Sequence, residues 1–382
     1  MAITLNGPAS SASGKSLKID AIRFLAAFWV LMYHFKPPLF KALLPHQLSF
    51  ISGALWSGAT VLFAGPAAVI VFFVVSGYCI HAAYHKDVAL KPVNYYASRF
   101  IRIGLSLVVL LCVVQPLPAG QNYLESVLWS LYCEMVYYAV YPLLRPRFRH
   151  IGEMIVGCTL LAAAMVACVR LFGHPVCHGC VYETYRVPGT ALLYAAGWIS
   201  GCLIAETQRN AAQFQIRGAY SPLTMMLRRA LDASTLALAT HLIVLRVAVV
   251  AAGAAVMILL SESSLKPAML PLITPDITLP VFQLLAVVWI ATETATPSRS
   301  RVWSTLAACG AWSYSLYLCH KTAFALLEVT SFDESSRIAW FVEVALAFAI
   351  SYAFYRVIEK PSHVISQRLR KYAPDVPGAP AA

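Results

Sequence analysis

Apolar runs long enough to cross a lipid bilayer recur from one end of the chain to the other, and this constrains the fold more than any other feature of the sequence. About 20 residues are needed to span the hydrocarbon as a helix, and in that medium every backbone N–H and C=O must find a partner inside the protein. The composition agrees: of 382 residues, 59% are hydrophobic and only 12% are Asp, Glu, Lys or Arg. An average soluble domain has roughly 25% charged residues, and the mean hydropathy here is +0.69. A soluble globule of this make-up would be badly undercharged, which excludes a cytosolic enzyme. The length leaves room for about ten to twelve spans joined by short loops, and for no sizeable soluble domain.

The expected spans are 19–36, 64–85, 104–118, 125–144, 151–172, 187–205, 240–260, 278–295, 306–328 and 338–357, ten helices in an all-α, polytopic transmembrane bundle. Residues 17–372 form the membrane domain, and the Ser, Ala and Gly-rich residues 1–16 and the tail 373–382 are expected to be disordered cytoplasmic ends. No small-residue cleavage site follows the first apolar stretch, so it is expected to be retained as a span. The net charge is +12, but basic residues gather in alternate loops. With a cytoplasmic N-terminus, 21 of the 29 Lys and Arg fall on the inner side and seven on the outer, which places both termini inside. No basic run is interleaved with aromatics, so nucleic acid is not an expected partner. Gly65-Pro66 interrupts the segment 45–83, as a re-entrant piece would. A short amphipathic helix is expected around Met225 to Leu231.

Ionisable residues inside spans are costly and functional by default. The first span carries Asp20, Arg23 and His34. Eleven residues turn through about 1100°, so Arg23 and His34 share a face about 17 Å apart in depth. Arg23 could equally snorkel to the inner interface while His34 sits at the outer one. In the fourth span Ser130 and Glu134 lie on one face. Taking Trp129 as an outer-interface anchor puts Glu134 at a depth similar to that of His34, and a carboxylate can orient an imidazole and raise its basicity. A structural contact between helices is the plainer alternative.

Arg99 and Arg102 stand three residues apart at the inner boundary, suited either to clamping a phosphate or to lipid headgroups and the positive-inside rule. Gly14-Lys15-Ser16 lacks the earlier glycine and strand of a phosphate-binding loop. His81 and His85 lack the Glu of a zinc-protease helix and read as inert. His174, Cys177, His178 and Cys180 cluster in an outer loop, compatible with a metal site or, as an oxidising compartment favours, a Cys177–Cys180 disulfide. The other cysteines read as small buried hydrophobes.

Taken in order, these elements resemble the acyltransferase 3 family of integral membrane O-acyltransferases. The resemblance rests on Leu17 to Arg23 with His34 eleven residues on, Phe72-Phe-Val-Val-Ser76-Gly77, Arg99 with Arg102, Leu128-Trp-Ser-Leu-Tyr-Cys-Glu134, Ser313-Tyr-Ser-Leu-Tyr317-Leu-Cys-His320 and Glu359-Lys-Pro361. Ile103-Gly104 replaces the Tyr-Pro that often follows the second arginine, and the stretch from Arg102 to Trp129 is short, so an atypical third span is expected. The resemblance implies an acyl-CoA donor, acetyl-CoA above all, and a carbohydrate or lipid-linked glycan acceptor at the outer face of a bacterial inner membrane. It implies Arg99 and Arg102 on the donor phosphates, His34 acting in transfer with Glu134 supporting it, and Arg23 beside the path. Ser130, Tyr137, Tyr317 and His320 are candidates for binding substrate, and no metal is expected. A transporter or flippase of lipid-linked sugars, with the same charges lining a substrate path, is the competing expectation.

Overall fold

The computed structural model describes residues 8–35, 58, 61–84, 90–115, 120–173, 181–209, 220–261, 274–297, 300–329 and 339–371, and among these it is helical almost throughout with no strand. Helix α1 (Pro8–His34) is followed by α2 (Gly65–Ala83), α3 (Pro92–Arg99), α4 (Leu105–Val114), α5 (Gly120–Leu144), α6 (Ile151–Phe172), α7 (Val181–Arg209) and α8 (Pro222–Leu238). Then come α9 (Leu242–Ser261), α10 (Pro275–Ala295), α11 (Arg301–Gly310), α12 (Ser313–Cys319), α13 (Thr322–Val329), α14 (Ala339–Phe354) and α15 (Lys360–Lys371). By length and apolarity, seven helical stretches of the described residues could cross a membrane, and the longest, Val127–Phe172, runs through both α5 and α6. The chain is an integral, multi-pass membrane protein.

Where residues are described, the ten expected spans fall largely on helix, and the two that lie outside those seven stretches do so for physical reasons. Helix α1 carries Lys18, Asp20 and Arg23 in one stretch, too many charges for a simple lipid-facing span. It also begins at Pro8, well before the expected span at residue 19. The ninth span, expected as one helix over 306–328, is broken into α11, α12 and α13, each too short to cross alone. Gly310 closes α11 where a Cβ would collide with the Asp20 backbone of α1. Glu359 holds the start of α12, accepting hydrogen bonds from the Ser315 N–H (3.1 Å) and hydroxyl. Residues 100–104 and 355–359 form single π turns, each widening the helix it interrupts, and such bulges gather at functional sites. Helix α2 starts at Gly65 with Pro66 in its first turn, where the missing N–H of proline costs nothing. The expected amphipathic helix is present as α8, capped by the Ser221 side chain.

Helices α2 and α7 form the closest pair. A Cβ on Gly77 would strike the Trp198 carbonyl, and one on Gly201 the Val74 carbonyl, so the two glycines let the backbones touch reciprocally. Buried at the same contact, His81 Nε2 meets the Glu206 carboxylate at 2.6 Å and His81 Nδ1 meets the Tyr141 hydroxyl at 3.0 Å. The Glu206 carboxylate also accepts from Tyr220. His81 is therefore a structural tie rather than an inert position, while His85 lies outside the described residues. Gly77→Ala should force the pair apart and cost ~1–3 kcal/mol, seen as a lower melting temperature. Gly157→Ala, inside α6 with open space around its Cβ, should not lower melting, since alanine is the better helix former.

Candidate active site

Four guanidinium groups from three distant parts of the chain converge on one cavity. Arg23 comes from α1, Arg99 from the end of α3, Arg102 from the π turn that follows and Arg370 from α15. The cavity is about 120 Å³ and Ser76, Ser130, Glu134, Tyr138 and Tyr317 also line it. Arg370 is exposed, and the other three guanidiniums survive in a bilayer only where the protein supplies partners. Asp20 lies 3.5 Å from Arg23, and the Arg99 guanidinium is sandwiched over the rings of Tyr84 and Tyr138 at 5.3 and 5.7 Å. The Arg99 Nε is buried with no hydrogen-bond partner. A buried cationic donor left unsatisfied on a residue that lines a basic cavity suits an anionic guest.

Glu134 is the acid of this cavity. One carboxylate oxygen accepts from the Ser76 hydroxyl at 2.7 Å and from the Tyr138 hydroxyl at 2.5 Å. Ser76 reaches it because Gly77 pins α2 against α7. On α5, Ser130, Glu134 and Tyr138 follow at intervals of four, a polar stripe about 12 Å long down one face. At the upper end of that stripe the Ser130 and Tyr317 hydroxyls are 2.5 Å apart, and Tyr317 also donates to the Val127 carbonyl. The Tyr317 ring lies 6.2 Å from that of His320, and the His320 ring lies 5.1 Å from that of His34 at the end of α1. The polar stripe thus connects the arginines to a pair of histidines.

The expected pairing of His34 with Glu134 is not formed. Glu134 belongs to Ser76 and Tyr138, about one helical turn below Ser130, and His34 packs between Tyr33 and His320. Trp129, read from the sequence as an interface anchor, packs edge-on against Phe73 and beside Tyr194. Tyr137 also departs from expectation, because its hydroxyl donates to the Ala191 carbonyl and its ring stacks on Trp198 at 5.2 Å. It is spent on packing α5 against α7 and lines no part of the cavity. His174, Cys177, His178 and Cys180 lie outside the described residues.

His320 carries more information than its spacing revealed. Its Nδ1 lies 2.7 Å from the Tyr317 carbonyl. A carbonyl only accepts, so in the neutral ring Nδ1 holds the proton and Nε2 keeps its lone pair. That Nε2 is fully buried and unpartnered, an acceptor left open beside His34. Arg370 was missed altogether, because nothing in a basic C-terminal helix distinguishes one arginine that folds back from its neighbours that meet solvent.

The polytopic helical bundle thus encloses a buried, cation-rich cavity with adjoining histidines. The acyltransferase 3 family model, described as an acyltransferase domain, matches residues 16–356. The chain belongs to this family and is an acyltransferase, which sets the transport reading aside. Neither a curated protein nor a solved structure matches it.

The bonding of Glu134 is testable by a double-mutant cycle. Ser76→Ala and Tyr138→Phe each remove one of its two donors, and each should destabilise by ~1.5–3 kcal/mol. The double mutant should lose more than their sum by ~0.5–3 kcal/mol, because either bond alone still stabilises the carboxylate. Strict additivity in thermal melts would show that other groups hold it.

Proposed function

We propose that the protein moves an acyl group, acetyl in the first instance, from cytoplasmic acyl-CoA to a hydroxyl of a carbohydrate or lipid-linked glycan acceptor at the outer face of a bacterial inner membrane. The observation that carries this reading is the convergence of Arg23, Arg99, Arg102 and Arg370 on a cavity that adjoins His320 and His34 through Ser130 and Tyr317. Sites that enclose a drug-sized molecule are about 300 to 1,000 Å³, so a cavity of about 120 Å³ cannot enclose coenzyme A. It suits a phosphate or the slender thioester end. The nucleotide then stays outside, near the exposed Arg370, while Arg99 and Arg102 neutralise phosphate charge at the entrance. Glu134, set among these cations, offsets their mutual repulsion when no anion is bound.

Arg23 and His34 are about 17 Å apart along α1, a distance that the pantetheine arm covers by passing the polar stripe of α5. At its far end His34 takes the proton of the acceptor hydroxyl as that oxygen attacks the thioester carbonyl. The new C–O bond forms, the C–S bond breaks, and the proton passes to the departing thiolate. The lone pair of His320 Nε2 supports the charged form of His34, the part that the sequence had assigned to Glu134. Ser130 and Tyr317 hold the thioester end with their hydroxyls.

Steady-state kinetics on purified protein test both halves of this assignment. His34→Ala should lower turnover on the order of 10²-fold or more at unchanged expression. Arg99→Ala or Arg102→Ala should raise the KM for acyl-CoA far more than that for the acceptor. Unimpaired turnover in the first, or loss of acceptor affinity alone in the second, would refute the corresponding half.

A further inference from the structure

A second, larger cavity lies beside the arginine-lined one and shares α1 and α2 with it. Its α1 stripe is Ile22, Leu25, Ala26 and Trp29, and on α2 it is lined by Ala67, Ala68 and Val71, with Ala64 just before the helix. Both follow the i, i+3, i+4, i+7 rule of a single helix face. On α1, Arg23 of the first cavity is one residue, about 100°, round from Ile22; on α2, Val69, Phe72, Phe73 and Ser76 repeat the stripe five residues on, about 140° round the helix. Helices α9, α10 and α11 close the other sides. The volume is about 480 Å³ and the walls are almost wholly apolar. Room is left because the facing residues are small: Ala26, Ala64, Ala67, Ala68 and Gly253. Ile22 to Trp29 extends about 10 Å along the helix axis, a good part of the 15 Å or so of one leaflet.

One end of this slot is cationic. Arg246, 38% exposed, bonds the Glu293 carboxylate through Nε and Nη2 at 2.9 Å each, and Lys18 Nζ lies 3.1 Å from the same carboxylate. Two cations face one buried carboxylate, so the cluster keeps a net positive charge. Lys18 is used up on Glu293 and the Thr296 carbonyl, whereas the Nη1 of Arg246 takes no part in the bonds to Glu293. The Trp303 ring lies under both cations, at 5.8 Å from Lys18 and 5.2 Å from Arg246. The opposite end, at Gly253, Ala64 and Trp29, carries no charge. A narrow apolar slot with a cation at one end complements an amphiphile with one long chain and an anionic head.

We propose that this slot holds one acyl chain of an anionic phospholipid from the surrounding bilayer, with the lipid phosphate against Arg246. The site is separate from donor and acceptor binding and does not depend on the identity of either.

Native mass spectrometry of the full chain, equilibrated in detergent with phosphatidylglycerol or phosphatidylcholine of equal chain length, tests this. The wild type should retain one phosphatidylglycerol and prefer it about tenfold, the effect of roughly one charge-assisted contact. Arg246→Gln should erase the preference and Arg246→Lys should keep it. Gly253→Leu, which extends a side chain into the slot, should lose the bound lipid, and Ala67→Leu serves if that variant does not fold. Val281→Leu, on the exposed face of α10, should change nothing. Equal retention of both lipids by the wild type would overturn the proposal, as would retention unaltered in folded Gly253→Leu or Ala67→Leu. Displacement of phosphatidylglycerol by equimolar prenyl phosphate would assign the slot to a lipid-linked glycan instead.

Discussion

A guanidinium within a membrane domain has to be answered by the protein itself, and the architecture of this enzyme follows from answering three of them, Arg23, Arg99 and Arg102, at one place, with Arg370 at its exposed mouth. Water and lipid headgroups cannot do it at that depth without thinning the bilayer. The answer is distributed: Asp20 beside Arg23, aromatic faces around Arg99, and Glu134 among all of them. Glu134 in turn is held by hydroxyls from α2 and α5. Removing any one piece strands a charge, which is far more damaging than replacing a pair with apolar residues. The arginines therefore determine where α1, α3, α5 and α15 must meet. The Nε of Arg99 is left without a hydrogen-bond partner at this place.

The remaining charges obey the same rule away from the cavity. Lys18 and Arg246 share Glu293, Arg170 is paired with Asp276 at 3.0 Å, and His81 with Glu206. Each ties together helices far apart in sequence, and each stands where an apolar contact would have specified the register less tightly. Between these ties the helices approach through glycine and alanine. The reciprocal contact of Gly77 and Gly201 brings α2 and α7 together and so sets Ser76 on Glu134. The broken course of α11, α12 and α13 has a comparable purpose, since Gly310 and Glu359 fix the short α12 that presents Tyr317 and His320.

Much of this was legible in the sequence, for reasons that mark where the rest was not. Apolar length located the long apolar helices, because hydrocarbon thickness is a fixed ruler. Helical spacing correctly put Ser130 and Glu134 on one face and Arg99 and Arg102 into one site, since both are local relations. What failed required knowing which helices are neighbours. Trp129 reads as an interfacial residue but packs on Phe73 and Tyr194, and Glu134 is bonded to Ser76 and Tyr138 rather than to His34. Tyr137 looks like its neighbour Tyr138 but points the other way, into α7. Arg370 reaches the site from the last helix, and His81 finds Glu206 more than a hundred positions on. No pattern within α2 or α15 could have announced either contact.

The central claim is directional: acyl groups enter at the arginine-lined end and leave at the histidine end, on opposite sides of the membrane. Sealed proteoliposomes of one protein orientation test it directly, with radiolabelled acyl-CoA confined to one compartment and a hydroxyl acceptor to the other. The account predicts acylated acceptor only when acyl-CoA is on the side of Arg99, Arg102 and Arg370 and acceptor is opposite, with free coenzyme A released on the donor side. Acylation that requires donor and acceptor in the same compartment would contradict it.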